Sequence, residues 1–433
     1  MNRPGALAFG VFRILWPREK VRRCLLWAAL AVLIGAEDSF AWDSKLFGSL
    51  WLKEEYNDNI FLDVYGKRQS DFITTISPGL EWQEKSERLD FSAGGRVSAI
   101  EYLRYHEYDA VDYNAQGSLL YRLTPRLGVS AGGGFLHDSR PDRDLLVTGL
   151  VLGTVQRDRW FYNLSGNYAL TEREGAEVNY FQSKDDFHSP RVSDSEVKNG
   201  NILFTRDLGD VFPLWKGRLS FNYGDYYFTT PKSTTKNYSL TIGASRDLTE
   251  TWGVIADLGV RYTQSRLTVT QVRFIPPFFL ALVQEEQETS DWGGVGGVSL
   301  TYRGDRNGAD VGVRQDIEPS SGVGVTERTS FNLSMYHRIT YELQATLAAN
   351  YFFNKAGKNQ YSQRETRFQS FYLSPGLRYE WSRDLAMEFS YSFTRTNDMI
   401  ADTIGDRNLL LIRFTVQEDL LEALQRFLRW AKE

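Results

Sequence analysis

The sequence predicts an all-β protein: an antiparallel transmembrane β-barrel of about eighteen strands, closed by a short C-terminal amphipathic helix. Three observations carry that expectation. The chain opens on an export signal, continues in long stretches that alternate apolar and polar residues, and joins them by connections that are short and long in turn.

The signal comes first. Lys20, Arg22 and Arg23 precede an apolar run, Cys24 to Ile34, that is too short to span a bilayer. Ser39 and Ala41 then place small residues where a signal peptidase needs them, so 1–41 reads as a removable signal peptide; a retained signal anchor is the competing reading. Cys24 is the only cysteine and lies inside this segment, so the expected mature chain has no disulfide and no cysteine metal site. No later apolar run approaches the ~20 residues of a spanning helix. The net charge of -5, with both signs mixed along the chain, argues against a nucleic-acid partner, which needs a basic stripe.

The strands come next, and the barrel is expected over 42–417. In 251–263, Trp252, Val254, Ala256, Leu258, Val260 and Tyr262 fall on one face, opposite Asp257, Arg261 and Thr263. Period two with one apolar face is a strand wet on one side only. The same holds for 341–353, with Tyr341, Leu343, Leu347 and Tyr351 outward, and for 385–393, with Leu385, Met387, Phe389, Tyr391 and Phe393 outward. Aromatics at the ends of the apolar face suit the two interfaces of a bilayer. The expected spans are 46–56, 72–84, 88–104, 108–123, 126–139, 144–156, 159–171, 193–206, 216–229, 234–248, 251–265, 289–303, 307–317, 325–338, 341–354, 366–381, 384–396 and 406–417. Sixteen strands is the alternative count, because 46–56 and 144–156 alternate weakly. Short turns, among them Thr124-Pro125, Arg157-Asp158, Thr249-Glu250 and Ile339-Thr340, alternate with long polar loops at 57–71, 171–192, 266–288, 318–324, 354–365 and 397–404. Such asymmetry separates an outer-membrane barrel from a soluble sandwich or propeller. A phrase repeats at the short rim, Leu123-Thr124-Pro125, Leu248-Thr249-Glu250 and Ile339-Thr340-Tyr341, as a reused hairpin would.

The segment 418–433 departs from period two. Leu420, Leu421, Leu424, Phe427 and Leu428 recur at helical spacing. The expected periplasmic helix lies on the rim, plugs the lumen, or docks a periplasmic partner.

Alternation also nominates the lumen lining. Glu81, Arg96, Asp112, Gln116, Asn163, Asn167, Asp257, Arg261, Asp310, Arg314, Glu342, Gln344, Asn350, Arg378, Glu380, Glu388 and Arg413 should face inward. Both signs occur, which fits neutral or mixed-charge polar cargo better than a strongly ion-selective pore. Opposite charges that merely brace the wall are the plainer reading. The loop at 266–288 carries Phe274, Phe278 and Phe279 in an unusually apolar run, and either folds inward as the candidate constriction or contacts a partner or lipid at the rim. An enzyme would need convergent groups. His106, His137 and His188 fall near the long-loop rim with Asp109, Asp138 and Asp186, but without a motif, so no catalytic residue, metal or cofactor is expected.

The stretch Glu54-Glu55-Tyr56-Asn57-Asp58-Asn59-Ile60-Phe61-Leu62, followed by Ser70-Asp71-Phe72-Ile73-Thr74-Thr75-Ile76-Ser77-Pro78-Gly79-Leu80, resembles the opening of the β-barrel porin 2 family of outer-membrane proteins; Leu373-Ser374-Pro375-Gly376-Leu377 echoes it late in the chain. Members of that family often accompany exopolysaccharide and exosortase gene clusters. The resemblance therefore implies an outer-membrane conduit for an exported polysaccharide, partnered by periplasmic export proteins through the helix. Any such barrel also meets outer-membrane lipid and the barrel-assembly machinery. A general diffusion porin and a scaffolding barrel are the alternatives.

Overall fold

Successive side chains of an extended chain leave opposite faces, so period-two segments satisfy lipid and water at once only as strands of a sheet. The computed structural model describes residues 43–62, 68–149, 155–190, 192–275, 279–320, 324–357 and 365–430. The expected signal peptide lies outside them. The strands are β1 (Asp43–Asn57), β2 (Asp71–Lys85), β3 (Leu89–Tyr102), β4 (Ala110–Thr124), β5 (Leu127–Asp138), β6 (Arg157–Ala169), β7 (Glu174–Phe187), β8 (Ser195–Asp207) and β9 (Trp215–Thr229). There follow β10 (Lys232–Asp247), β11 (Trp252–Ile275), β12 (Phe279–Arg303), β13 (Asn307–Ser320), β14 (Gly324–Arg338), β15 (Leu343–Ala356), β16 (Thr366–Glu380), β17 (Leu385–Asp398) and β18 (Thr403–Asp419). A short helix α1 (Leu145–Thr148) lies between β5 and β6, and α2 (Leu420–Trp430) follows β18.

The eighteen strands form one sheet, each antiparallel to its sequence neighbour, and β1 pairs with β18 from Phe47↔Asp419 to Asn57↔Leu409. The sheet is a closed barrel, which leaves no open edge around its girth where the ladders are complete. On β11 and β12 one register is apolar and open to the outside: Leu258, Val260 and Val298 are at least half exposed. Across β11 and β12, Trp252 packs on Tyr302 at one end of this apolar band and Tyr262 on Trp292 at the other, with ring centroids 4.8 and 4.9 Å apart. Ten residues along β11 separate the two rows. At ~3.4 Å per residue and a tilt of about 40°, the band is ~25 Å tall, the thickness of an outer-membrane hydrocarbon layer.

Two expected elements exchange places. Residues 144–156 do not form a strand. Among the described ones, Leu145–Thr148 is the helix α1, inside a connection that runs from Asp138 to Arg157. Conversely, the expected loop at 171–192 contains β7. Arg157-Asp158 therefore opens β6 at the long-loop rim and is not a short turn. The strand number survives because one strand is lost and one gained. The loop expected at 266–288 is also corrected. Both its arms continue the β11–β12 ladder without a register break, to Ile275↔Phe279. Arg266 and Glu288, 2.7 Å apart, pair across it.

Candidate channel lumen

Large exposed apolar side chains mark the outward register, and contacts that cross the barrel mark the inward one. Glu81, Arg96, Asp112, Gln116, Asn163, Asn167, Asp257, Arg261, Asp310, Arg314, Gln344, Asn350, Arg378, Glu380, Glu388 and Arg413 all fall on the inward register. Glu342 does not: it lies in the turn between β14 and β15, where Thr340 Oγ1 donates to its carboxylate at 2.9 Å. Arg378 and Glu380 pair with each other at 2.9 Å near the short-turn rim. Of the expected constriction, Phe278 lies outside the described residues. Phe274 and Phe279 are paired in backbone register with Leu280 and Ile275 along the extended hairpin. Two described elements narrow the lumen.

The first is the connection 139–149, whose charges pair with distant strands. Arg140 reaches Glu55 of β1 at 2.6 Å and Asp142 at 3.2 Å, while Arg407 of β18 reaches Asp142 at 2.9 Å. Arg157 binds Asp138 at 2.5 Å and Asp144 at 3.0 Å, and Arg143 binds Asp138 at 3.1 Å. Asn354 of β15 donates to the Thr148 carbonyl at 3.0 Å. Gly149 has φ +74°, and a Cβ there would press on Phe352 and on Ser370 of β16, so only glycine closes α1 at this approach. One segment thus touches β1, β15, β16 and β18 from an origin between β5 and β6. Such a path crosses the barrel interior. Burial alone would raise the Asp142 carboxyl, but Arg140 and Arg407 outweigh it and hold the group well below the usual carboxylate range.

The walls differ in chemistry. Around β17, β18, β1 and β3 the lining is charged. Arg96 lies 3.3 Å over the Trp51 ring centroid, with Arg413 at 5.2 Å from the same ring. Arg413 also pairs with Glu388. Around β7 to β10 the lining is amide and hydroxyl. Asn179 donates to Asn201 at 3.4 Å, Asn201 to Asn222 at 2.6 Å and to Ser220 at 2.8 Å, and Asn222 to Ser239 at 3.2 Å. Thr263 donates to Asn237 at 2.9 Å. Asn163, Asn179, Asn199, Asn201, Asn222 and Asn237 line a cavity that Arg314, Asp316 and Glu318 also bound. The amide ladder, Trp51 and the 139–149 cluster were missed by the sequence reading. The alternation Asn199, Asn201 on β8 was the available signal.

Two features lie outside the lumen. His137 Nδ1 sits 2.6 Å from Asp158 Oδ1 and His188 Nε2 is 3.2 Å from Asp158 Oδ2, with the His137 ring stacked on Tyr113. All are on the outward register near the long-loop rim. Helix α2 is also outside. Gly48 shares the outward register of Leu50 and Leu52, and its missing Cβ would lie 3.1 Å from Leu420. Leu424, Phe427, Leu428 and Trp430 are exposed. The helix thus leaves β18 on the barrel exterior and touches the barrel there through Leu420, which disfavours a lumen plug and suits a helix lying at the bilayer surface. Replacing Leu424, Phe427 and Trp430 together by Ser is expected to cut recovery of folded barrel in vesicles about tenfold or more, read by heat-modifiable gel mobility, because about 1 kcal/mol or more of burial is lost per residue.

No family model matches the chain, and no curated protein matches it in sequence. Solved structures with a similar strand architecture include OccAB4 of Acinetobacter baumannii, 12% identical, covering 86% of this chain and 98% of that one with a TM-score of 0.43. OpdL of Pseudomonas aeruginosa is 13% identical over 87% of this chain and 99% of its own, TM-score 0.43. The copper transporter OprC is 10% identical over 84% of this chain and 65% of its own, TM-score 0.44. At these identities and scores the likeness transfers no residue role to this chain.

Proposed function

We propose that this protein is an outer-membrane channel that conducts a neutral, hydroxyl-rich solute, and that its cargo is an exported saccharide polymer. The carrying observation is the pairing of a ~25 Å apolar, aromatic-edged exterior with a lumen wall of hydrogen-bonded amides. Among sheets, only a closed barrel satisfies its backbone in lipid. Side-chain amides both donate and accept, so they can exchange partners along a chain of sugar hydroxyls, where a ring of one charge would select ions instead. The resemblance at 54–80 supports the polymer over a free sugar. A diffusion porin for small polar solutes is the second reading. It is favoured by the 139–149 crossing, which a polymer must displace and a small solute need not.

The test is conductance in planar bilayers with added dextran oligomers. Single channels should open and be blocked from one side by oligomers at concentrations that leave a charged solute such as gluconate without effect. Asn201→Leu should weaken that block about tenfold or more, since each lost side-chain hydrogen bond contributes ~1 kcal/mol and Asn201 bonds Asn179, Ser220 and Asn222. Block equal for dextran and gluconate, or unmoved by Asn201→Leu, would remove the saccharide reading. Loss of surface polymer on gene deletion, with small-solute uptake intact, separates the export reading from the porin.

A further inference from the structure

The second element that narrows the lumen is part of the wall itself. Pairing of β12 with β13 stops at Gly296↔Gln315. Both partners continue: β12 stays on β11 as far as Phe279, and β13 stays on β14 as far as Ser320↔Gly324. The split opens inside the apolar band, four residues from Trp292, whose ring marks its edge. An unzipped ladder in hydrocarbon is costly unless something compensates it.

The side-chain register shows where the β13–β14 tip has gone. Ile317, Val325 and Glu327 share a strand face with Val313 and Phe331, which are open to the outside. Yet Ile317 and Val325 are 1% and 0% exposed and cluster with Val197, Tyr226 and Phe228. Those three lie on the inward register of β8 and β9. Glu327 likewise reaches Arg261, an inward residue of β11, at 3.4 Å. A face that looks at lipid below the split therefore looks at the inner wall above it. The described arms of the tip, 315–320 and 324–329, have curled inside the barrel, behind β8 to β11, with Arg314, Asp316 and Glu318 bounding the amide cavity. Gly293 makes room for the latch, because a Cβ there would lie 2.5 Å from the Arg261 guanidinium.

We propose that the β13–β14 tip is a gate of the channel with two built-in positions. In the tucked position described here, Arg261–Glu327 latches it across the lumen. In the other it swings out and completes the β12–β13 ladder. The sequence is prepared for both. Continuing the existing register pairs Val295 with Asp316 and Gly294 with Ile317. It also returns Ile317 and Val325 to the lipid face, where their apolar side chains belong, and carries Glu327 out with them, beside its cross-strand partner Lys355 at 3.3 Å. Gly294 has open space beside its Cα, so the incoming Ile317 meets no side chain. Swinging out would clear the amide wall for cargo. The gate rests on the channel reading but makes separate predictions.

The experiment uses a Cys24→Ser chain, which has no other cysteine, so pairs can be introduced without background. V295C/D316C and G294C/I317C cover two adjacent rungs, of which one is the closely spaced kind that a disulfide fits. Oxidation should lock the tip out and raise steady single-channel conductance, with dithiothreitol reversing it. Glu327→Gln should raise the open fraction on the order of tenfold without a cross-link. Heat-modifiable mobility confirms that each variant is a folded barrel. Overturning results are clear: both pairs stay reduced under oxidant in folded protein, or cross-linked and reduced channels conduct alike, or Glu327→Gln leaves gating unchanged. If the wild type conducts while these fail, only the gate is lost; if no form conducts, the channel reading falls with it.

Discussion

Arg157→Ala should release the 139–149 segment from the lumen and raise single-channel conductance several-fold. Arg157 is 2% exposed and is the shared cation of Asp138 and Asp144, with Asp185 at 3.9 Å. Removing one partner of a buried ion pair costs ~3–5 kcal/mol, because the other is left charged in a poor dielectric. Here at least two carboxylates lose their main partner, and Arg143 and Arg159 compensate in part, at 3.1 Å from Asp138 and 2.5 Å from Asp185. The barrel ladders do not depend on this cluster, so the β-sheet should persist while the insertion detaches. Limited trypsin digestion reads the event directly: the chain should become cleavable after Arg143 in the variant and stay resistant there in the wild type, Arg140 being protected in both by the following Pro141. Arg157→Lys keeps the charge but loses the fork that serves two carboxylates, and should fall between the two. Unchanged conductance together with trypsin resistance would show that the insertion is held by other contacts.

The same segment shows how far the sequence could be read. β11 was legible residue by residue, because Trp252 to Tyr262 alternate without interruption against a polar set. β7 was not. Its outward set includes Glu174, Gln182, Lys184 and Asp186, while Phe181 and Phe187 face inward, so neither face reads as apolar. The run Leu145-Leu146-Val147 looked like a strand because a short apolar stretch suits a lipid face and a lumen insertion equally. What distinguishes them is the mixed charge around the run, at Asp138, Arg140, Asp142, Arg143 and Asp144. Their partners Glu55 and Arg407 are far away in sequence, and no local pattern announces them. The extended β11–β12 hairpin was misread for a related reason. Above the bilayer both faces are wet, so period two vanishes although the ladder continues. The lumen lining was legible in direction but not in arrangement. Alternation assigns a residue to the inside, whereas the separation of an amide wall from a charged wall depends on which strands are neighbours around the closed ring.

Asp142 gives the insertion a defined response to pH. Its carboxylate lies between Arg140 and Arg407, at 3.2 and 2.9 Å, and Arg140 is held further by Glu55. Burial disfavours the carboxylate, the two guanidiniums favour it more, and the group titrates well below its ordinary value of 3.8. Arg140 is pushed the other way, well above its ordinary value, so it stays charged throughout. A depressed carboxyl contributes stability that is complete above the unfolded value and is lost as pH falls through the folded one. Conductance and trypsin resistance should therefore be flat from neutrality down to about pH 4, with release of the segment only in stronger acid. Asp142→Asn removes the charge at every pH and leaves two guanidiniums facing each other. It should release the segment at neutral pH, at a cost of about 3 kcal/mol, and abolish the acid transition. An acid transition near pH 5 or above in the wild type, or an Asp142→Asn channel with wild-type conductance at pH 7, would place the lock elsewhere. The acid limb also separates the two devices. A carboxylate below the ordinary range governs the insertion, while the β13–β14 tip is latched by Arg261 and Glu327 on other strands. Asp142→Asn combined with Glu327→Gln should then raise conductance by more than either change alone, as two obstructions in series require.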